Sequence, residues 1–235
     1  MGILEVLAGP AVGAVLQRLS RRRSDRVALT VIGQPPFGRQ PNYFLPEVNH
    51  PNELRGSDVA GRCADPYSQK YTDWLAKNHG VPCGSTHFTI TVQSIGDANV
   101  ALVHGRVLAD YLEPVGGIFV CHQSGGPIES FHLHVDLYTR EIQCIPAQSY
   151  IGRPTPIPLS FQIAPNATER FDVYASGGKV AMIWHLELDF VVDGKLVTKK
   201  VLQPSGERFT TIPIDYGQAG GTFYPSTSGW IESAP

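Results

Sequence analysis

His132, His134 and Asp136 are the residues of this chain whose types and spacing come nearest to chemistry. They alternate with Phe131, Leu133 and Val135, so on a strand all three leave from the face opposite those apolar side chains. Two imidazoles and a carboxylate at steps of about 6 to 7 Å can converge on a zinc or iron ion. His104 and His122 fall on strands predicted to lie beside this one, and would complete a metal-dependent site. The competing reading is plainer: polar residues at alternate positions are the solvated face of a half-buried strand.

His185, Glu187 and Asp189 form a second such run, on a strand whose other face carries Trp184, Leu186, Leu188 and Phe190. A carboxylate pair could act on a glycoside, but on an exposed strand it more often carries charge for solubility, here within reach of Lys199 and Lys200 on the return strand. The chain has no Gly-x-Ser-x-Gly, no Walker lysine and no Gly-x-Gly-x-x-Gly, so nucleophile-elbow, phosphate-loop and dinucleotide chemistries have no motif to stand on. Cys63, Cys83, Cys121 and Cys144 include no Cys-x-x-Cys pair, and reduced, buried thiols are the expectation for all four.

The elements that must position these residues read as β. Among 235 residues are 24 Gly and 19 Pro, with 17% charged residues, a composition of short strands and many turns. The chain is organised around residues 179–203. Apolar residues alternate from Val180 to Val192, break at Asp193-Gly194, and resume from Leu196 to Leu202. An Asp-Gly pair between two such runs predicts a type I′ hairpin. Further strands are expected at 27–32, 88–92, 100–111, 116–122, 128–138, 141–145, 157–163, 170–175 and 208–212. The first of these, with Val27, Leu29 and Val31 alternating with Ala28, Thr30 and Ile32, could be buried on both faces. The fold class expected is mainly β: a two-sheet antiparallel β-sandwich, Ig-like or a related Greek key, spanning 25–235.

Three segments stand apart from that framework. Residues 1–24 predict an amphipathic helix after Pro10, with Val12, Val15, Leu16 and Leu19 on one side and Arg21, Arg22 and Arg23 at its end. It is too short to span a bilayer, and suits docking on its own domain, on a partner or second copy, or on a membrane surface. An irregular loop is expected over 33–61, with Phe37, Tyr43 and Phe44 as contact residues. Asp65-Pro66 predicts a helix over 65–79, its aromatic stripe of Tyr67, Tyr71 and Trp74 facing the sheet. The tail 215–235 carries Tyr216, Phe223, Tyr224 and Trp230, enough aromatic surface to tie it to something.

From Phe88 to Pro213 the chain resembles small β-sandwich proteins that recur in actinobacterial genomes. Asp136-Leu137, the strand with Trp184 and Leu186-Glu187-Leu188, and Gly206-Glu207-Arg208-Phe209-Thr210-Thr211 carry that resemblance. It implies the sandwich and no activity.

A formal charge of −2 exerts no general pull on nucleic acid. No basic region precedes the first apolar stretch, which points to a cytoplasmic protein, at most peripheral to a membrane or part of an assembly. The function expected is a non-enzymatic interaction or structural module without cofactor, recruited through residues 1–24 to a protein partner, to itself or to a membrane surface. The alternatives are a zinc- or iron-binding protein or enzyme using His132, His134 and Asp136, and a carbohydrate- or ligand-binding sandwich using exposed aromatics such as Trp230.

Overall fold

A computed structural model describes residues 25–32, 42–56, 68–113, 115–121, 131–145, 156–213, 216, 219–226 and 228–233, with backbone only at Thr72, Phe131, His132 and Ala219. The helix predicted over 1–24, Phe37 and His122 lie outside these residues. The protein is mainly β, with several sheets and one short α-helix among the described residues.

The expected hairpin forms. Strands β11 (Met182–Val192) and β12 (Lys195–Val201) flank Asp193 and Gly194, both at positive φ, as a type I′ turn demands. Asp193 does more than turn the chain. Its carboxylate accepts from Arg26 Nη1 at 2.9 Å and from the Asn99 N–H at 3.1 Å, tying the turn to two other segments. With β5 (Val100–Tyr111), β9 (Phe161–Ile163) and the short β13 (Phe209–Thr211), these strands make one sheet, ordered β12-β11-β5-β9 with β13 also on β11.

Packed against it is a sheet ordered β1-β4-β10-β7-β8, from Val27–Ile32, Ser85–Ser94, Thr168–Ser176, Phe131–Asp136 and Glu141–Ile145. Phe88, Ile90, Leu133, Val135, Phe171 and Val173 from this sheet meet Leu102, Trp184, Leu186, Leu188 and Phe190 from the other, and together they form the main core. The indole N–H of Trp184, fully buried, donates to Thr211 Oγ1 at 2.9 Å, which in turn bonds Thr86 Oγ1 at 2.6 Å. A buried polar chain closed in this way avoids the cost of an unmade hydrogen bond.

Where a pair of sheets is expected, the described residues form three. Strands β2 (Asn42–Pro46), β3 (Val81–Cys83), β6 (Gly117–Val120), β14 (Ala219–Ser226) and β15 (Gly229–Glu232) form a third, ordered β15-β14-β6-β2-β3. Helix α1 (Gln69–Lys77) lays Tyr71, Trp74 and Leu75 on one face of it, against Leu45, Ile118, Val120 and Phe223. On the other face Phe44, Cys83, Phe119 and Cys121 pack with Ala181 and Ile212. With both faces covered, β6 is buried at every residue.

Two expectations change and one is met. The loop expected over 33–61 contains β2, and β1 is buried on one face only, since Thr30 and Ile32 are exposed. The aromatic tail is tied to this domain as a hairpin of the third sheet. Helix α1 begins at Gln69, where Ser68 Oγ caps the Tyr71 N–H, while Asp65, Pro66 and Tyr67 lie outside the described residues. Two pairings, β10 with β7 and β14 with β6, are parallel, which alternation within one strand cannot reveal. No described helix is long and apolar enough to cross a membrane.

Candidate functional site

Two outer faces carry the polar residues. On the sheet of β1, β4, β10, β7 and β8, taken as the first with that of β11 as the second, the register sets His87, Tyr174, His134 and Gln143 in one row across β4, β10, β7 and β8, with Ser85, Ser176, Asp136 and Glu141 in the next. Their strand neighbours Leu133 and Val135 are buried, so His134 and Asp136 do leave from the opposite face, as alternation predicts. The Tyr174 ring lies between two imidazoles, its centroid 4.4 Å from that of His87 and 5.2 Å from that of His134. Ser85 Oγ is 2.7 Å from His87 Nε2. A groove of about 200 Å³ runs beside this row, lined by His134, Asp136, Glu141, Gln143, Tyr174 and Ser176.

The groove is polar with one aromatic wall, an arrangement that suits a small polar ligand. For a metal ion its donors are placed less well. Asp136 Oδ1 accepts from the N–H groups of Tyr138 at 2.8 Å and Thr139 at 2.9 Å, which closes the turn into β8. Among the described residues no three His, Cys, Asp or Glu side chains stand close enough to share one ion. The His132 side chain is outside those residues. His104 is not on a neighbouring strand: β5 belongs to the second sheet, and β7 is flanked by β10 and β8.

A bulge explains where His104 goes. Asp189 pairs with His104 and Phe190 with Leu102, which leaves Val103 as an extra residue in β5. Before it, Val100 and Leu102 point inward; after it, Val107 and Ala109 do. The inserted residue reverses the parity and sends His104 and Arg106 outward.

On that outer face the acids of β11 are paired. Arg106 Nη2 reaches Glu187 Oε2 at 3.1 Å and Asp189 Oδ1 at 3.4 Å, Thr198 Oγ1 donates to Asp189 Oδ1 at 2.6 Å, and His104 Nδ1 is 3.4 Å from Asp189 Oδ2. Lys200 stands opposite Glu187 in the ladder and Lys199 opposite Leu188, yet Arg106 is the partner that bridges both acids. Two carboxylates sharing one guanidinium form an ion-pair network, unlike an acid and a base set across a cleft.

His185, beside them, is the odd member. Its side chain is only 12% exposed, neither ring nitrogen has a hydrogen-bond partner, and Nε2 stops 3.8 Å from Glu187 Oε1. Burial holds the imidazole below its ordinary pKa, Lys200 and Arg208 push the same way, and Glu187 opposes them.

No known protein family, characterised protein or solved structure matches this chain. The remaining interaction candidates sort by burial. Phe44 is 1% exposed and edge-on to Phe119 and Tyr216, so it is core and not contact surface. Tyr43 packs on the cluster under α1, and Trp230, half-buried, lies 5.5 Å from Trp74. Val12, Val15, Leu16, Leu19, Arg21, Arg22 and Arg23 lie outside the described residues.

Sequence reasoning missed His87, Tyr174 and Arg106. The polar alternation of Arg170, Asp172, Tyr174 and Ser176 signals an exposed face, but the histidines beside Tyr174 come from pairings between segments far apart in the chain.

The edges of the three sheets differ. Strand β12 carries Lys195, Lys199 and Lys200; β3 is three residues long with Pro82; β9 and β13 are three residues each; β15 is four and carries Glu232. Strand β8 carries Glu141, and its outer side is bridged at Cys144 by Ile157. These are the usual devices against unwanted strand pairing. Strand β1, six residues reading Val-Ala-Leu-Thr-Val-Ile, has neither charge nor proline.

Proposed function

We propose that this protein is a non-enzymatic interaction and structural module, a β-sandwich of Ig-like or related type recruited to a partner assembly or membrane surface through residues 1–24. The observation that carries the reading is β1. It follows directly on that segment, and it is the one described sheet edge left uncharged, free of proline and longer than five residues. An apolar edge of this kind is a pairing template. The amphipathic pattern of 1–24 places an apolar stripe just ahead of it, with Arg21, Arg22 and Arg23 beside anionic groups of a partner or lipid. The full chain carrying Val15→Glu and Leu16→Glu tests this. It is expected to lose self-association in solution or co-sedimentation with anionic vesicles, whichever the unaltered chain displays; a chain that shows neither property, or keeps it unchanged in the variant, counts against the reading.

The groove beside Tyr174 favours a second reading, a carbohydrate- or ligand-binding sandwich, because an aromatic wall with carboxylate, amide and hydroxyl groups is the lining a polar ligand of that size needs. Glycan-array binding lost on Tyr174→Ala would support it, and a blank array would remove it.

A further inference from the structure

We infer that β1 pairs antiparallel with β1 of a second copy of this chain, joining two five-stranded sheets into one of ten strands about a two-fold axis at Leu29. The inference rests on the assembly reading above and names its partner.

The hydrogen bonds around β1 show which of its backbone groups face outward. The Ile95 N–H donates to the Arg26 carbonyl at 2.9 Å, and the pairing of Val27 with Ser94 puts Arg26 opposite Ile95. In an antiparallel ladder the bonded residues alternate. Ala28, Thr30 and Ile32 therefore direct their N–H and C=O groups to β4, and Val27, Leu29 and Val31 direct theirs to the open edge. The far side of β4 agrees, since the Ser94 N–H donates to Ala167, at the start of β10. Strand β1 thus presents three consecutive outward donor–acceptor sets.

A second copy fits those sets without conflict. Two strands in a continuous sheet keep the same face toward the core, so paired residues must have the same parity. All three outward sets on the odd residues pair at once only when the two-fold falls on Leu29 opposite Leu29, with Val27 opposite Val31 on the inner face and Ala28 opposite Thr30 on the outer. No charge meets a like charge in this register. Arg26, at the start of the strand, is engaged by Asp193 at 2.9 Å and Asp97 at 3.6 Å. Behind β1, the lysines of β12 keep the second sheets from pairing in the same way, so the union involves one sheet of each copy. Six residues of strand bury less than the roughly 1,000 Å² of a stable interface, so the dimer is expected in the micromolar range of Kd.

The test is sedimentation of the full chain at about 1 to 200 μM, the range that brackets such a Kd. The unaltered chain is expected to shift from monomer toward dimer. Ala28→Lys with Thr30→Lys sets lysine opposite lysine twice across the axis, and is expected to stay monomeric with its thermal transition retained. Ala28→Lys with Thr30→Glu sets lysine opposite glutamate twice, and is expected to regain the dimer. Hydrogen exchange on the unaltered chain needs no variant to fold: Leu29 and Val31 amides should gain protection with concentration while Ala28 and Thr30 stay unchanged. A monomer throughout the range overturns the inference, as does a dimer indifferent to the lysine pair or an exchange pattern without the alternation. If a dimer persists with the lysine pair but is lost with Val15→Glu and Leu16→Glu, the strand pairing fails and the assembly reading stands.

Discussion

Gly117 should be intolerant of a single methyl group, while its neighbour Gly116 accepts one. A Cβ at Gly117 would land on the Leu45 carbonyl oxygen and come within 2.5 Å of Phe44 Cζ and 2.9 Å of Phe44 Cε2. The carbonyl belongs to the backbone of β2, which pairs with β6 through Leu45 opposite Ile118 and Pro46 opposite Gly117, so no rotamer change relieves the clash. Phe44 is itself locked edge-on against Phe119, 5.6 Å away between centroids, in a cluster that joins the third sheet to the sandwich. The strands must separate or the ring must leave its site. Overpacking a core costs about 1 to 3 kcal/mol where side chains can yield, and a clash with the backbone of β2 as well as with the packed Phe44 ring places Gly117→Ala at or above the top of that range, about 3 to 4 kcal/mol. For a domain of this length that is a fall in Tm on the order of 10 °C. At Gly116 nothing lies within 4 Å of the added Cβ, and its φ is ordinary, so Gly116→Ala should stay within about 0.5 kcal/mol of the parent. Urea unfolding of the two variants beside the parent measures both. If Gly117→Ala unfolds within about 1 kcal/mol of the parent, the close approach of β2 and β6 is not as described.

His185 should give the protein an acid-sensitive step. Its pKa is lowered on folding, so below the ordinary histidine value of about 6.5 the unfolded chain binds a proton that the folded one refuses, and stability falls as pH drops through that value until the folded pKa is passed. His185→Gln should flatten unfolding free energy against pH over that window, and an unchanged profile would refute the assignment. Replacing Arg106 by Met keeps the aliphatic stem but removes the bridge between Glu187 and Asp189; with the arginine side chain 48% exposed and that of Asp189 8%, a loss of about 1 to 2 kcal/mol in denaturant unfolding is expected, and no loss would show the network to be idle. Burial pushes the thiols of Cys121 and Cys144 up to about 11, so at about pH 8 iodoacetamide should label them far more slowly in the folded protein than in urea, as peptide mass mapping would show. Rapid labelling in the folded state would place them nearer the surface.

What the sequence determined by itself is local. Asp193-Gly194 encodes its turn because positive φ at both residues is a property of those residues, and the alternation from Met182 to Val192 encodes which side of β11 is buried. Both held. The mainly β class followed from many such short-range signals, as did the outward direction of His134 and Asp136. Tertiary structure decided which strands meet. Residues 42–46, 81–83, 219–226 and 229–232 each carry too little pattern to announce a strand, and join the strand expected at 116–122 in one sheet only because α1 and the end of the sandwich bury both faces of β6. The neighbours of His134 were likewise beyond reach, because a parallel pairing of β7 with β10 leaves no turn in the sequence to mark it. His104 was misplaced because β5 pairs with β11 and β9 and not with β7, and its outward direction has a further cause. One bulged residue, Val103, reverses the inside and outside of everything after it, and nothing in the composition of β5 distinguishes a strand that bulges from one that runs straight. Strand partners and register are chosen by the burial of the whole chain, and burial is a property that no single segment carries.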